Sequence, residues 1–255
     1  MVRVTLLAQS VTLKPWALLG AGVTVSCALV AALLALRFPG TPDVPGWVWW
    51  MDLAAQHGPI RGYGYQHFPY PPGSFELMWL FSLVWGRTYI AAKVCILGFW
   101  CATAVVTLLT ARRLNAPLWL GVALAVNPAI LLNGPFLGFL DILIAPFLLL
   151  ALLTATKRPF ISGILFGVAP LLKWQPIILL PFFLAFACVS EPTLRLRSAH
   201  FVRWLGGCAL CVGVLCAGYV VDGGSIAVLI AALHDGLSYP MVSGNALNLN
   251  WVRFI

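Results

Sequence analysis

Charged side chains are scarce in this sequence. They occupy 9% of the 255 positions, whereas hydrophobic residues occupy 62%. A soluble globular domain carries about 25% charged residues. The scarcity therefore excludes an ordinary soluble domain and predicts an all-α polytopic membrane protein.

Acidic residues are the rarest of the charged groups, and any chemistry that needs a carboxylate is restricted to seven positions. They are Asp43, Asp52, Glu76, Asp141, Glu191, Asp222 and Asp235. A general base or a carboxylate that binds substrate has to come from this short set.

The sequence also lacks a metal-binding pattern. Its four histidines are scattered, and its seven cysteines lie in apolar runs without the spacing of a zinc site or a thioredoxin-like motif. We therefore interpret the cysteines as small buried hydrophobic residues. No metal and no cofactor are predicted.

Basic residues exceed acidic ones and give a net charge of +8. They are not gathered into a surface that would bind nucleic acid, and no nucleic-acid partner is predicted. They stand in short clusters between apolar segments, which is where the positive-inside bias of membrane proteins places them.

About eight apolar segments follow one another along the chain. The first, at residues 16–36, is long enough to cross about 30 Å of hydrocarbon. The others lie at 74–85, 94–110, 118–132, 140–154, 160–172, 176–189 and 204–221. Arg87 and Lys93 flank the start of the 94–110 run. We treat residues 1–255 as a single transmembrane domain.

Residues 37–72 form the longest polar interruption, and we interpret them as the first external loop. Trp47, Trp49 and Trp50 are typical of the membrane–water interface, where aromatic rings settle. We predict a short helix from Trp47 to Gln56 lying in that interface. A plain connecting loop is the alternative, although loops of this length are uncommon unless functional.

Charge clusters predict which loops share a face of the membrane. Arg112–Arg113, Lys157–Arg158 and the basic loop 191–203 are separated by pairs of apolar segments, so they share one face, and their charge makes it cytoplasmic.

Residues 133–141, residues 173–175 and the polar segment 222–255 then share the opposite, external face. The first loop joins them only if residues 74–111 cross the membrane an odd number of times. That condition requires the short run at 74–85 not to count as a full crossing, or the positive-inside bias to mislead at Arg87 or Arg112.

Asp141 and Lys173 are ionisable residues next to or within apolar runs. Such residues cost about 2.5–3.5 kcal/mol each at membrane depth and usually face a polar cavity. Lys173 separates two runs that are each too short to span, and broken segments of this kind line cavities. We predict that both residues belong to one site.

Each residue also has a plainer interpretation. Asp141 follows an Asn-Gly-Pro turn, where a carboxylate can cap the helix start, and Lys173 can extend its ammonium to the interface. In a binding site, Lys173 suits an anionic lipid phosphate. Asp141 then suits a sugar or acceptor, and Gln175 can form hydrogen bonds with a sugar.

Four stretches resemble one family, in the family's order. They are YPPGSFELMWL at 70–80, NGPFLGFLDILIAPFLLLALL at 133–153, KRPFISGILFGVAPLLKWQPIILLPFF at 157–183 and SYPMVSGNALNLNWV at 238–252. Together they resemble the GT-C glycosyltransferases that use polyprenyl-phosphate sugars. Among these, the sequence resembles bacterial mannosyltransferases related to the second GPI mannosyltransferase, and glycosyltransferase family 87. The resemblance spans roughly residues 40–252.

The chain departs from the family in three respects. Gly138–Phe139–Leu140–Asp141 lacks the glutamine that often precedes the family's aspartate, and Asn250 precedes the tryptophan of the tail motif. The family's further C-terminal helices are absent. We therefore expect the chain to be incomplete at its C-terminus, and a non-catalytic remnant stays open as an interpretation.

The resemblance implies a base in the first external loop, near the acceptor hydroxyl. Asp43 matches that position better, and Asp52 is the alternative base or a positioning residue. A carboxylate suits the task because an alcohol is a poor nucleophile until its proton is taken. A solvated loop acid, or a turn with Pro45–Gly46, is the plainer interpretation.

Further polar and aromatic residues are candidates for substrate binding. Arg61 suits phosphate and Tyr70 suits a sugar ring, although an interfacial aromatic belt would use the same residues. Asn245 and Asn248 in the tail suit sugar hydroxyls, or cap turns.

The implied reaction is transfer of a hexose from a polyprenyl-phosphate-linked donor to a glycan or lipid acceptor on the non-cytoplasmic face. Mannose is the favoured hexose. Lys173 and Arg61 would hold the donor phosphate. The implied location is a lipid bilayer. The bacterial plasma membrane is favoured, and the endoplasmic reticulum membrane is expected if the protein is eukaryotic. The alternative is a transporter or flippase-like carrier of an anionic or polyprenyl substrate, with Asp141 and Lys173 as its binding pair.

Overall fold

The computed structural model of the chain describes residues 15–65, 70–189 and 193–238. Within these ranges the chain is helical and contains no strand. The α-helices are α1 (Pro15–Ala35), α2 (Asp43–His57), α3 (Pro59–Gly64), α4 (Pro72–Trp85), α5 (Tyr89–Arg113), α6 (Leu118–Ala125), α7 (Pro128–Leu131), α8 (Ala145–Thr154), α9 (Pro159–Leu172), α10 (Leu180–Val189), α11 (Leu194–Val221) and α12 (Ile226–Ser238).

Three stretches of helix in the described ranges are long and apolar enough to cross a membrane. They are Tyr89–Arg113, Leu118–Phe136 and Leu194–Val221. Five shorter apolar helices accompany them, at Gly22–Ala35, Leu140–Thr154, Pro159–Leu172, Gln175–Cys188 and Ile226–Gly236. The predicted all-helical architecture is confirmed, and its long apolar helices are typical of a membrane protein.

The first loop folds into two helices rather than one. α2 includes the predicted helix at 47–56 but begins four residues earlier, at Asp43, and α3 follows after Gly58. The apolar face of α2 is buried in the main core, with Val44, Trp47 and Met51 each at most 4% exposed. The loop is therefore a packed part of the bundle.

The two ends of α4 contact two different helices, α9 and α2. Near its start, the Ser74 hydroxyl donates a hydrogen bond to the carbonyl of Leu172. Just beyond its end, Arg87 pairs with Asp52 of α2. α4 is therefore held by α9 at one end and by α2 at the other. An odd number of crossings between residues 74 and 111 stays a prediction.

Hydrogen bonds near the turn between α8 and α9 join three helices, α8, α9 and α11. The Ser162 hydroxyl of α9 donates to the carbonyl of Ala151 in α8, at 2.7 Å, and the Trp204 indole of α11 donates to the Ser162 hydroxyl, at 3.2 Å. Of the predicted basic clusters, Lys157–Arg158 lies in the turn between α8 and α9, residues 193–203 lead into α11 and form its start, and Arg112–Arg113 ends α5. That these clusters face the cytoplasm stays a prediction.

Close packing joins α9 to α11 through glycines. A Cβ at Gly163 would lie 2.0 Å from the carbonyl oxygen of Trp204, and one at Gly207 would lie 2.1 Å from that of Phe160. Only a residue without a side chain permits backbones to approach so closely. Gly167, four residues after Gly163, also faces α11, because a Cβ there would lie 3.1 Å from the Cβ of Cys211.

Two segments predicted as loop contain helix. α11 begins at Leu194, so most of the predicted basic loop 191–203 is its first three turns, and the Thr193 side chain caps it by accepting a hydrogen bond from the Leu196 amide. α12 lies in the predicted polar segment 222–255. Leucine and arginine are strong helix formers, and the polar residues hid the helical pattern.

Candidate functional site

The break between α9 and α10 exposes a lysine to a carboxylate from another segment. Lys173 ends α9 in an extended conformation, and a 3₁₀ turn at Gln175–Leu179 follows before α10 resumes. The Lys173 ammonium forms an ion pair with the carboxylate of Asp141. The lysine side chain is 12% exposed and the aspartate side chain 61% exposed, so the pair has one open side.

The role of Asp141 as a helix cap is not seen. It lies in the first turn of a 3₁₀ helix at Leu140–Leu143, where Phe139 holds the cap position and no side chain caps the helix. The carboxylate is directed to Lys173 instead. The structure therefore brings together the two residues that the sequence singled out, which stand at the two ends of the hairpin formed by α8 and α9, 32 positions apart.

Tyr70 covers the ion pair from the side of the first loop. Its ring centroid lies 6.0 Å from the Lys173 Nζ, which is within cation–π range. Edge-to-face contacts with Trp47 at 5.3 Å and Trp50 at 5.4 Å hold the ring. The Tyr63 hydroxyl donates to the Tyr70 carbonyl at 2.7 Å and fixes the backbone as well.

The N-terminal end of α2 is fastened to the turn that leads into Asp141. The Trp47 indole donates to the Gly138 carbonyl at 3.1 Å, and the Thr41 amide donates to the Leu137 carbonyl at 2.9 Å. Gly138 has φ +85°, and a Cβ there would lie 2.5 Å from Val44, so this contact requires glycine. The contacts run from Gly138 through Trp47, Tyr70 and Lys173 to Asp141, and the backbone from Asp141 to Gly138 closes the circuit.

Asp43 lies beside this circuit, one residue before Val44. It is exposed in the first turn of α2, where its side chain caps nothing. Neither an Asx turn nor an ion pair occupies its carboxylate among the described residues.

Asp52 points away from the circuit. Nine residues along an α-helix place it about 13.5 Å from Asp43 and on the opposite face. There it forms an ion pair with Arg87, at 3.1 Å, in which both side chains are about half exposed. The structure therefore separates the two acids that the sequence left as alternatives.

Lys93 is a buried cation that sequence reasoning treated only as a flanking residue. Its side chain is 1% exposed, and its ammonium donates to the carbonyls of Pro135, at 2.9 Å, and Phe136. These carbonyls belong to a π-helical turn at Leu132–Phe136, the C-terminal end of the Leu118–Phe136 helical stretch, where a cation is favourable. The one sequence signal was a lysine directly next to an apolar run, which did not identify its backbone partners.

Two of the remaining predicted residues, Gln175 and Arg61, are exposed. Gln175 is exposed, two residues after Lys173. Arg61 is exposed on α3 and lies beside Gly223, whose added Cβ would be 3.6 Å from its guanidinium. No described contact links Arg61 to Lys173. Asn245 and Asn248 lie outside the described residues.

Three further polar groups accompany the site. The Trp174 indole N–H is buried and has no hydrogen-bond partner among the described residues. Burial raises the pKa of the Glu76 carboxyl on α4 and of the nearby Tyr63 hydroxyl above their ordinary values. No group of three or more His, Cys, Asp or Glu side chains that could hold a metal is found in the described ranges.

These features define a class: an all-helical membrane protein with a partly open, polar and aromatic site where the first loop meets the broken helix pair. The sequence model of glycosyltransferase family 87 matches residues 68–240. Because the match covers more than half of the chain, the protein belongs to glycosyltransferase family 87. No curated protein and no solved structure matched the chain.

The family match includes Tyr70, Asp141, Lys173 and Gln175 but begins after Asp43, Asp52 and Arg61. The protein is thus a membrane glycosyltransferase by family. The likeness to the second GPI mannosyltransferase, the donor and the acceptor are not given by this match and stay predictions.

Proposed function

We propose that the protein transfers a hexose, mannose first, from a polyprenyl-phosphate donor to a lipid-linked or glycan acceptor on the non-cytoplasmic face of the membrane. The observation that carries the proposal is the closed circuit of contacts through Gly138, Trp47, Tyr70, Lys173 and Asp141, with Asp43 beside it. It combines a cation, a carboxylate and an aromatic face in one place.

Asp43 is the proposed general base. Its carboxylate takes the proton of the acceptor hydroxyl as the oxygen forms its bond to the anomeric carbon. The bond between that carbon and the phosphate oxygen breaks, and its electron pair leaves with the polyprenyl phosphate. The exposure of Asp43 and its place at the joint between α2 and the Gly138 turn support this role. Inversion at the anomeric carbon is what the family resemblance implies.

Lys173 is the proposed contact for the donor phosphate. A lysine ammonium has three donors, so it can bind a phosphate oxygen while one donor still meets Asp141. Positive charge next to the leaving phosphate stabilises the charge that develops there. Asp141, with most of its side chain exposed, then has oxygens free to accept from sugar hydroxyls.

Aromatic and indole groups supply the remaining contacts in this proposal. The Tyr70 ring offers a face for a sugar, and the unpartnered Trp174 N–H offers a donor next to Lys173. Arg61 is less well supported as a phosphate ligand, because its described contact is with Gly223. Asp52 is likewise less well supported as a base, because it pairs with Arg87.

A carrier of an anionic or polyprenyl substrate is the second candidate, favoured by the ion pair itself. A carrier site of this kind would use Asp141 and Lys173 as its binding pair. Membership of a glycosyltransferase family favours the enzyme.

The test is an assay of membranes that contain the full chain. Labelled mannose is supplied on polyprenyl phosphate or on a nucleotide, and both transfer to lipid or glycan and uptake into sealed vesicles are measured. The proposal is supported if mannose is transferred from the polyprenyl-phosphate donor and not from the nucleotide donor. Transfer only from the nucleotide sugar contradicts the donor class, and uptake without transfer supports the carrier.

A further inference from the structure

A cleft at the C-terminal end of α2 has no part in the proposed reaction. It has a volume of about 440 Å³ and lies between the C-terminal end of α2, the start of α3 and the end of α4. Cavities of this size are typical of small-molecule sites. Its lining includes Ala54, Ala55, Gly58, Trp79, Leu83 and Arg87.

The walls of the cleft are mostly apolar, and Arg87 is the single charged residue among the described residues that line it. The hydroxyl of Ser82, another lining residue, already donates to the Trp79 carbonyl at 2.6 Å. A sugar needs several hydrogen-bonding groups, and this cleft does not supply them. One guanidinium in an apolar setting instead suits an amphipathic anion.

An apolar strip continues from the cleft along α4. Leu80, Leu83 and Val84 are between 48% and 77% exposed, and their spacing places them on one face of the helix. Trp85, at the end of the helix next to Gly86 and Arg87, is 51% exposed. The apolar strip therefore ends at the Arg87 guanidinium. A phospholipid has the matching arrangement, with apolar acyl chains that end at a phosphate headgroup.

Asp52 competes for Arg87 from outside the cleft. It is not among the lining residues, and it meets Arg87 at 3.1 Å in a half-exposed ion pair. Such exposed pairs contribute little to stability. A phosphate can accept two parallel hydrogen bonds from a guanidinium, which is a stronger interaction.

We propose that this cleft binds the phosphate headgroup of an anionic membrane lipid. The Arg87 guanidinium contacts the phosphate in place of Asp52, and the acyl chains lie along Leu80, Leu83 and Val84. The proposal does not depend on the transfer reaction, because Lys173, Asp141 and Asp43 take no part in it.

The test measures binding of phosphatidylglycerol to the full chain in detergent by native mass spectrometry, with phosphatidylcholine and inorganic phosphate as comparison ligands. We expect phosphatidylglycerol to bind tightest, and Arg87→Gln to weaken it about 10-fold through loss of a charge-assisted hydrogen bond. Arg112→Gln, an exposed arginine at the other end of α5, controls for net charge. Equal loss in both variants would overturn the site.

One further pair of variants and one single substitution separate binding from folding. Ala55→Leu fills the cleft from an exposed position and should weaken binding, whereas Gln56→Leu, next to it but outside the lining, should not. Asp52→Asn should tighten binding about 2- to 5-fold because it releases Arg87. Weaker binding in Asp52→Asn would show that the pair only holds the fold. Equal binding of phosphatidylcholine, or full competition by inorganic phosphate, would also overturn the proposal.

Discussion

The ammonium of Lys173 meets the carboxylate of Asp141 across the end of a helical hairpin, thirty-two positions apart in the sequence. Each residue interrupts an apolar stretch, and each is satisfied by the other without closing the site, because the aspartate stays largely exposed. The pair therefore explains how two costly charges are kept and how they remain accessible to a ligand.

Lys173→Gln should raise the donor KM about tenfold or more, because a charge-assisted hydrogen bond to phosphate is lost. Steady-state transfer kinetics over a range of donor concentrations measure the change. Lys157→Gln, an exposed lysine at the opposite end of α9, is the matched control and should leave the donor KM unchanged. An unchanged donor KM in Lys173→Gln would contradict the proposed contact between Lys173 and the donor phosphate.

Lys93→Met should destabilise the protein by roughly 1–3 kcal/mol, because two buried carbonyls lose their donor. Unfolding by SDS in mixed micelles, followed by tryptophan fluorescence, measures the difference. Lys157→Met removes an exposed lysine and should change the free energy of unfolding by about 0.5 kcal/mol or less. A stability equal to that of the unmodified protein would mean that Lys93 does not hold the 132–136 turn.

Gly163→Ala should destabilise the contact between α9 and α11 by about 1–3 kcal/mol, because the new methyl group would overlap the Trp204 carbonyl. Gly213→Ala on α11 has open space around the new Cβ and should be neutral or stabilising, since alanine favours helix. The same unfolding assay compares the two. Similar effects of the two substitutions would contradict the close approach of the helices.

Glu76 should make stability fall as pH rises. Burial raises the pKa of its carboxyl above the ordinary value of 4.5, so in the folded protein the proton is held more tightly than in the unfolded chain. Stability then decreases as pH rises from about 4.5 through the raised pKa. Unfolding measured from pH 4 to 8 should show a weaker decrease in Glu76→Gln and an unaltered one in Asp222→Asn, an exposed acid. Parallel profiles for all three proteins would contradict burial of an ionisable Glu76.

Much of the fold could be predicted from hydrophobicity and length alone. The first helix, the break at Lys173 and the helix in the first loop were all expected, because apolar run length and tryptophan placement carry that information. The start of α11 was missed because Arg195 and Arg197 disguised the first turns of a helix as a loop. α12 was missed because Asp222, His234 and Asp235 made its surroundings look polar.

The site was predictable only as a set of separate residues. Sequence singled out Asp141 and Lys173 as costly charges, but their pairing depends on how α8 and α9 fold back on each other. The choice between Asp43 and Asp52 needed the helix phase of α2 and the position of Arg87. Lys93 was missed because its partners are backbone carbonyls, which no sequence pattern marks.

Transfer of labelled sugar from a polyprenyl-phosphate donor, compared between Asp43→Asn and Asp52→Asn in the same membranes, tests the central claim most directly. General-base catalysis contributes about 10²- to 10⁴-fold, so Asp43→Asn should lose transfer by that factor while donor binding persists. Asp52→Asn should retain transfer within a fewfold of the unmodified protein. Full transfer by Asp43→Asn, or a loss confined to Asp52→Asn, would contradict the account.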